Sequence, residues 1–200
     1  MTDNSSFGEL FGEVPLMAIL RGMGVERSLA VATTAWELGI DLVEIPVQTP
    51  TDVEALRVVA EAGRARGLHV GAGTVVTPQH VRLAEQAGAE FTVSPGFDVE
   101  IVRASHDAGL PSLPGVSTPT EVQLAGKEGL TWLKAFPASL LGTGWFGAMR
   151  GPFPNMSFVA TGGMDASTAP AFLAAGVRVV AVGSALEDPE QLPALAALVK

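Results

Sequence analysis

The chain has no cysteine, so disulfides and thiolate-ligated metal centres are excluded. It has only three histidines, His69, His80 and His106, and their spacing fits no metal site. They read as surface or internally satisfied side chains, and no strand-end cluster of Asp, Glu and His implies a catalytic metal. No run of about 18 apolar residues occurs, so no membrane span is expected. Lys and Arg total 12 against 21 Asp and Glu, a net charge of −9, and no basic cluster breaks that balance. Duplex nucleic acid, which requires grouped cations, is therefore not an expected partner. The first residues, Met1–Ser6, are polar and do not read as a secretory leader. A soluble cytoplasmic protein is the default expectation, built as one domain over residues 1–200.

Lysine is scarce too: Lys127, Lys134 and Lys200 are the full set. Lys127 lies in the polar run Gly126-Lys127-Glu128-Gly129 and should be solvated. Lys134 instead lies inside the apolar run Thr131–Ala135, closed by Pro137. A buried ammonium is costly, so such a lysine needs a partner or a chemical task. One task is nucleophilic attack on a carbonyl by the free amine. The alternative is a strand-end lysine whose flexible stem carries its charge to water.

Short apolar runs recur along the chain: Leu16–Leu20, Asp41–Ile45, Leu68–Val70, Phe91–Ser94, Pro111–Leu113, Thr131–Ala135, Ser157–Ala160 and Val177–Val182. Most are separated by segments with helical spacing. In residues 52–66, Val53, Leu56, Val59, Ala60 and Gly63 form a stripe opposite Glu54, Arg57, Glu61 and Arg64. Helix starts carry caps at Thr51-Asp52, Thr77-Pro78 and Thr118-Pro119, and helix ends fall at Gly39, Gly67, Gly88, Gly109, Gly129 and Gly176. Eight strand-plus-helix units of about 20–25 residues predict a (β/α)8 TIM barrel, with a doubly wound open sheet as the alternative. Residues 1–14 precede the first strand and are expected to form a short helix closing the bottom of the barrel.

In such a barrel, chemistry sits at the C-terminal ends of the strands. Those ends carry Arg21, Glu44, Gly73-Thr74, Ser94-Pro95-Gly96, Pro114-Gly115, Lys134, Thr161-Gly162-Gly163 and Gly183-Ser184. Strand alternation turns Val43, Ile45, Leu133 and Ala135 towards the helices, and Glu44 and Lys134 inward. Trp132 then packs beneath Lys134. Glu44 has two readings, as an acid/base or as an ion-pair partner of Arg21. Glycines at the ends of the last two strands let backbone N–H groups approach an anion, so a phosphate site is expected there.

Several motifs in this order resemble the 2-keto-3-deoxy-6-phosphogluconate/4-hydroxy-2-oxoglutarate (KDPG/KHG) aldolase family. They include Ala18-Ile19-Leu20-Arg21-Gly22, Val43-Glu44-Ile45-Pro46, Val70–Val75, Val93-Ser94-Pro95-Gly96, Leu113–Glu121, Lys134-Ala135-Phe136-Pro137-Ala138 and Thr161-Gly162-Gly163. The resemblance spans Leu16 to Ser184. It implies a class I aldolase that forms a Schiff base and needs no metal or cofactor. The substrate it implies is a phosphorylated 2-keto-3-deoxy acid, cleaved to pyruvate and glyceraldehyde 3-phosphate by a homotrimer. By the same resemblance Lys134 is the Schiff-base lysine and Glu44 the general acid/base. Thr74 belongs to the pyruvate end, Arg21 is a strand-1 arginine of the site, and Pro95 belongs to the substrate site. Thr161, Gly162, Gly163, Gly183 and Ser184 belong to the phosphate end. Gln48 departs from the family, in which many members carry arginine at this place. The run Glu44-Ile45-Pro46-Val47-Gln48 looks more like the branch acting on the phosphogalactonate epimer. The competing readings are a phosphate-binding isomerase or epimerase barrel, and a noncatalytic small-molecule binder.

Overall fold

Threonine–proline pairs open three of the helices. Thr49, Thr77 and Thr118 are N-caps in extended backbone, each followed by proline at the first helical position. Each threonine hydroxyl accepts a backbone N–H of the first turn, and proline there loses no hydrogen bond. The cap expected at Thr51-Asp52 is thus displaced to Thr49. Asp52 is the third helical residue, and its carboxylate accepts the Thr49 N–H at 3.0 Å in a capping box. The expected stops hold: Gly39, Gly67, Gly88, Gly109, Gly129 and Gly176 all have positive φ.

The structure is a computed structural model that describes residues 4–199. The strands are β1 (Leu16–Ile19), β2 (Val43–Pro46), β3 (Val70–Gly73), β4 (Thr92–Val93), β5 (Ser112–Leu113), β6 (Gly115–Val116), β7 (Trp132–Ala135), β8 (Ser157–Thr161) and β9 (Val179–Val182). The helices are α1 (Phe7–Phe11), α2 (Gly24–Glu37), α3 (Pro50–Arg64), α4 (Pro78–Gln86), α5 (Val99–Asp107), α6 (Pro119–Lys127), α7 (Ala138–Leu141), α8 (Thr143–Arg150), α9 (Ala169–Ala174) and α10 (Leu192–Val199). None is long and apolar enough to cross a membrane.

All strand pairings are parallel, in the order β5-β4-β3-β2-β1-β9-β8-β7-β6. β5 and β6 end that order, yet only Pro114 separates them in the chain. They are two halves of one stave: β5 pairs with β4 and β6 with β7. The Pro114 carbonyl accepts the Lys134 N–H at 2.9 Å, so the ring closes across the proline. The eight expected strands are therefore eight staves, the fifth broken where proline removes a donor.

Alternation along the staves sorts side chains into two cores. Val43, Ile45, Leu133 and Ala135 join the outer core with Trp36, Leu56 and Val59 of the helices. Met17, Leu42, Phe91, Leu113, Trp132, Val159 and Val179 fill the barrel interior together with Phe7 and Phe11 of α1. Phe11 stacks on Trp132 at 5.3 Å, and Phe7 meets Phe91 edge-on at 5.6 Å. The short N-terminal helix is thus the plug of the barrel floor. Burying two phenylalanines there contributes about 1.5–3 kcal/mol each. Gly71 has no side chain because the Phe91 ring occupies the space a Cβ would need. With the lower interior packed by apolar rings, the polar side chains of the interior lie one layer higher.

Candidate active site

Lys134 is the third residue of β7, two beyond Trp132, so it faces inward one layer above the indole. It is 3% exposed, and Nζ lies 5.1 Å from the centre of the Phe136 ring. The side chain ends in a cavity of about 400 Å³ rather than in bulk water.

Glu44 of β2 is fully buried, and both carboxylate oxygens lack a hydrogen-bond partner. Gly73, on the neighbouring strand, is bare for a specific reason: a Cβ there would collide with the Glu44 carboxyl group. The alternative reading of Glu44 as an ion-pair partner of Arg21 does not hold. Arg21 donates instead from Nη1 to Gln48 Oε1 at 2.8 Å and from Nη2 to Thr74 Oγ1 at 3.0 Å. Thr74 has φ +57°, an uncommon conformation for a β-branched residue, and it presents its hydroxyl to the guanidinium.

Between β7 and β1 the cavity wall is built by the ends of β8 and β9. Thr161 is 4% exposed, and its Oγ1 has no partner. Gly162 and Gly163 both have positive φ. A Cβ on Gly163 would strike the Ser139 side chain, and one on Gly162 would press on the Phe136 ring at 3.1 Å. The turn thereby packs closely beneath α7, where the Ser139 N–H donates to the Gly162 carbonyl at 3.1 Å. Ser184 opens a single 3₁₀ turn that runs to Glu187.

One cavity brings together Arg21, Lys134, Thr161, Gly162, Gly163, Gly183 and Ser184. Thr74 and Gln48 are tied to it through Arg21. Neither lines the cavity itself, and Gln48 lines a separate groove with Thr49, Pro50 and His80. Pro95 stands apart at the end of β4 and does not line the cavity. Its carbonyl fills the space beside Gly115, where a side chain would not fit. Sequence reasoning had no signal for three lining residues: Met23 and Met164, which follow strand ends in irregular turns, and Glu187. Phe136 lay within a quoted motif, but its contact with Lys134 depends on packing. Among the described residues, no group of three His, Cys, Asp or Glu is placed to hold a metal ion. His69 is engaged with Glu90 at 2.7 Å, near the bottom of the barrel.

A closed parallel barrel in which an inward lysine and glycine turns line one cavity, with a fully buried carboxylate on β2 that does not itself line it, defines a (β/α)8-barrel enzyme. The chain belongs to the KDPG and KHG aldolase family, whose model matches residues 8–197. It is 34% identical over 178 residues to a probable 2-dehydro-3-deoxy-6-phosphogalactonate aldolase of Rhizobium meliloti, covering 88% of this chain and 84% of that protein. It is 32% identical over 179 residues to a 2-dehydro-3-deoxy-phosphogluconate aldolase of Treponema pallidum, covering 89% and 82%. Among solved structures, a KDPG aldolase from Legionella pneumophila superposes with a TM-score of 0.83 at 28% identity, covering 96% of this chain and 95% of that one. In that crystal structure pyruvate was captured at low pH as a covalent carbinolamine intermediate.

Proposed function

We propose that this protein is a class I aldolase that cleaves a 2-keto-3-deoxy-6-phospho sugar acid to pyruvate and glyceraldehyde 3-phosphate. The observation that carries the reading is Lys134: a nearly buried lysine that ends in the cavity of a KDPG/KHG-family barrel. In this reading the free amine of Lys134 attacks the C2 ketone to give a carbinolamine, which loses water to form an iminium. Glu44 takes the proton of the C4 hydroxyl. The C3–C4 bond breaks, its electron pair flows to the iminium nitrogen, and the aldehyde leaves. Glu44 returns the proton to C3 of the enamine, and hydrolysis frees pyruvate and Lys134.

Arg21 and Thr74 hold the pyruvate carboxylate. Gln48 and Thr74 occupy only two of the five N–H groups of Arg21, so donors remain for a carboxylate. Gln48 acts by orienting that guanidinium, where an arginine at the same place would repel it. Thr161, Gly162, Gly163, Gly183 and Ser184 receive the phosphate end, and Pro95 supports the wall between β4 and β6. A single-domain homotrimer in the cytoplasm completes the proposal, on the strength of the family.

The test is a steady-state assay with both C4 epimers of the phosphorylated acid. Equal release of pyruvate and glyceraldehyde 3-phosphate is expected. The galactonate-type epimer should be cleaved at least as well as the gluconate-type, and Gln48→Arg should move the kcat/KM ratio towards the gluconate-type. No pyruvate from either epimer would overturn the assignment of substrate.

A further inference from the structure

Three ionisable side chains line the cavity: Arg21, Lys134 and Glu187. Arg21 is tied to Gln48 and Thr74 on the side of β1–β3, and Lys134 stands on β7. Glu187 closes the 3₁₀ turn that Ser184 opens, so the one charged side chain that the segments after β8 and β9 bring to the lining is an anion. The other polar groups there, namely the backbone N–H groups of Gly162, Gly163 and Gly183 and the hydroxyls of Thr161 and Ser184, are all neutral.

Glu187 is paired with Arg27, from the first turn of α2. The two ends of that pair are unequal. The Arg27 side chain is 64% exposed and does not line the cavity, whereas the Glu187 side chain is 25% exposed and does. A solvated guanidinium screens its partner only in part. A phosphate monoester carries about −1.5 to −2 charges at neutral pH, so a carboxylate beside it is repulsive. A terminal hydroxyl has the opposite chemistry: it is a donor, and a carboxylate accepts from it.

We propose that Glu187 is a specificity-determining residue that lowers the preference for phosphorylated over unphosphorylated 2-keto-3-deoxy sugar acids, so that this enzyme turns over both. Arg27 sets the strength of that effect by neutralising Glu187. This inference rests on the aldolase reading given above.

The experiment measures kcat/KM for 2-keto-3-deoxy-6-phosphogluconate and for 2-keto-3-deoxygluconate, with the galactonate-type pair alongside. It uses the full chain and three variants: Glu187→Gln, Arg27→Ala and the double variant. Removing one like charge at contact range should raise the phosphorylated-to-unphosphorylated ratio about five- to tenfold in Glu187→Gln. Arg27→Ala should lower the ratio, because it leaves Glu187 unscreened. In the double variant, removal of Arg27 should have little further effect, since it acts through Glu187. A ratio unmoved within about twofold in Glu187→Gln would overturn the proposal. So would an Arg27→Ala loss equally large with and without Glu187, which would place Arg27 on the phosphate itself. Trapping of pyruvate on Lys134 by borohydride separates the two levels. Trapping with an unmoved ratio brings down only the role of Glu187, and absence of trapping brings down the aldolase reading with it.

Discussion

Both oxygens of Glu44 are buried without a donor, and the neighbouring strand gives up a side chain at Gly73 to make room for them. A buried, unpartnered carboxylate costs stability, a pattern expected where structure yields to chemistry. Glu44→Gln keeps the shape but cannot accept a proton. Turnover should therefore fall by about 10²–10⁴-fold, while the barrel stays folded. Near-normal turnover would reduce Glu44 to a packing residue. At this scale the sequence is legible only as far as alternation reaches. Val43–Ile45 and Leu133–Ala135 flank Glu44 and Lys134 with outward-facing apolar side chains, which fixes both as inward. Alternation does not reach side-chain torsions, so the Arg21–Gln48–Thr74 linkage could not be read, nor that it leaves the Glu44 oxygens without a partner. Glu187 lies beyond a strand end, where no period applies.

Elements were legible where local chemistry dictates them. Threonine–proline starts and glycine stops identify α4 and α6 directly. At α3 the rule chose Thr51, because it overlooked the proline at position 50 that makes Thr49 the cap. The capping box of α6 gives an acid-linked prediction. Burial of Glu121 acts to raise its pKa, but hydrogen bonds from the backbone and side chains of Ser117 and Thr118 together hold it below its ordinary value of 4.5. A lowered folded pKa means the stabilisation is complete above 4.5 and is lost as the pH falls through the lowered value. Denaturant titrations should show Glu121→Gln less stable than the parent at pH 7, with the gap closing at acid pH. A gap independent of pH would contradict this. Asn4, by contrast, was not legible at all. It is fully buried below the break between β5 and β6. Its Nδ2 donates to the Ser112 and Trp132 carbonyls at 3.1 and 2.7 Å, and its Oδ1 accepts the Thr131 N–H at 2.8 Å. One side chain thus spans staves that Pro114 keeps from pairing there. Asn4→Ala would strand these groups and should lower stability by about 1–3 kcal/mol, read as a shift in denaturation midpoint with an unchanged m-value. A shift near zero would show that water replaces the amide without loss.

The molecule as a whole follows from a division of the barrel interior into layers. Aromatic rings from α1, from Phe91 just ahead of β4 and from β7 pack the floor, and the layer above carries Glu44, Lys134 and Thr161. The repeat of eight strand-and-helix units made closure legible, and the segment of residues 1–14 ahead of β1 suggested a plug. How the fifth stave breaks to let the ring close depends on register between distant strands, which one chain does not spell out. The family assignment, the fold and the cavity converge on one chemical claim: the ketone carbon of the substrate becomes bonded to Lys134. The most direct measurement is borohydride reduction in the presence of pyruvate and EDTA, followed by peptide mapping. The chain offers only three lysines, and Lys127, at the exposed end of α6, is the internal control. A single reduced pyruvate adduct on the peptide carrying Lys134, absent from Lys134→Arg, is the expected result, since arginine keeps the charge but is no usable amine nucleophile. An adduct on Lys127 or Lys200 alone, or none at all, would contradict the account.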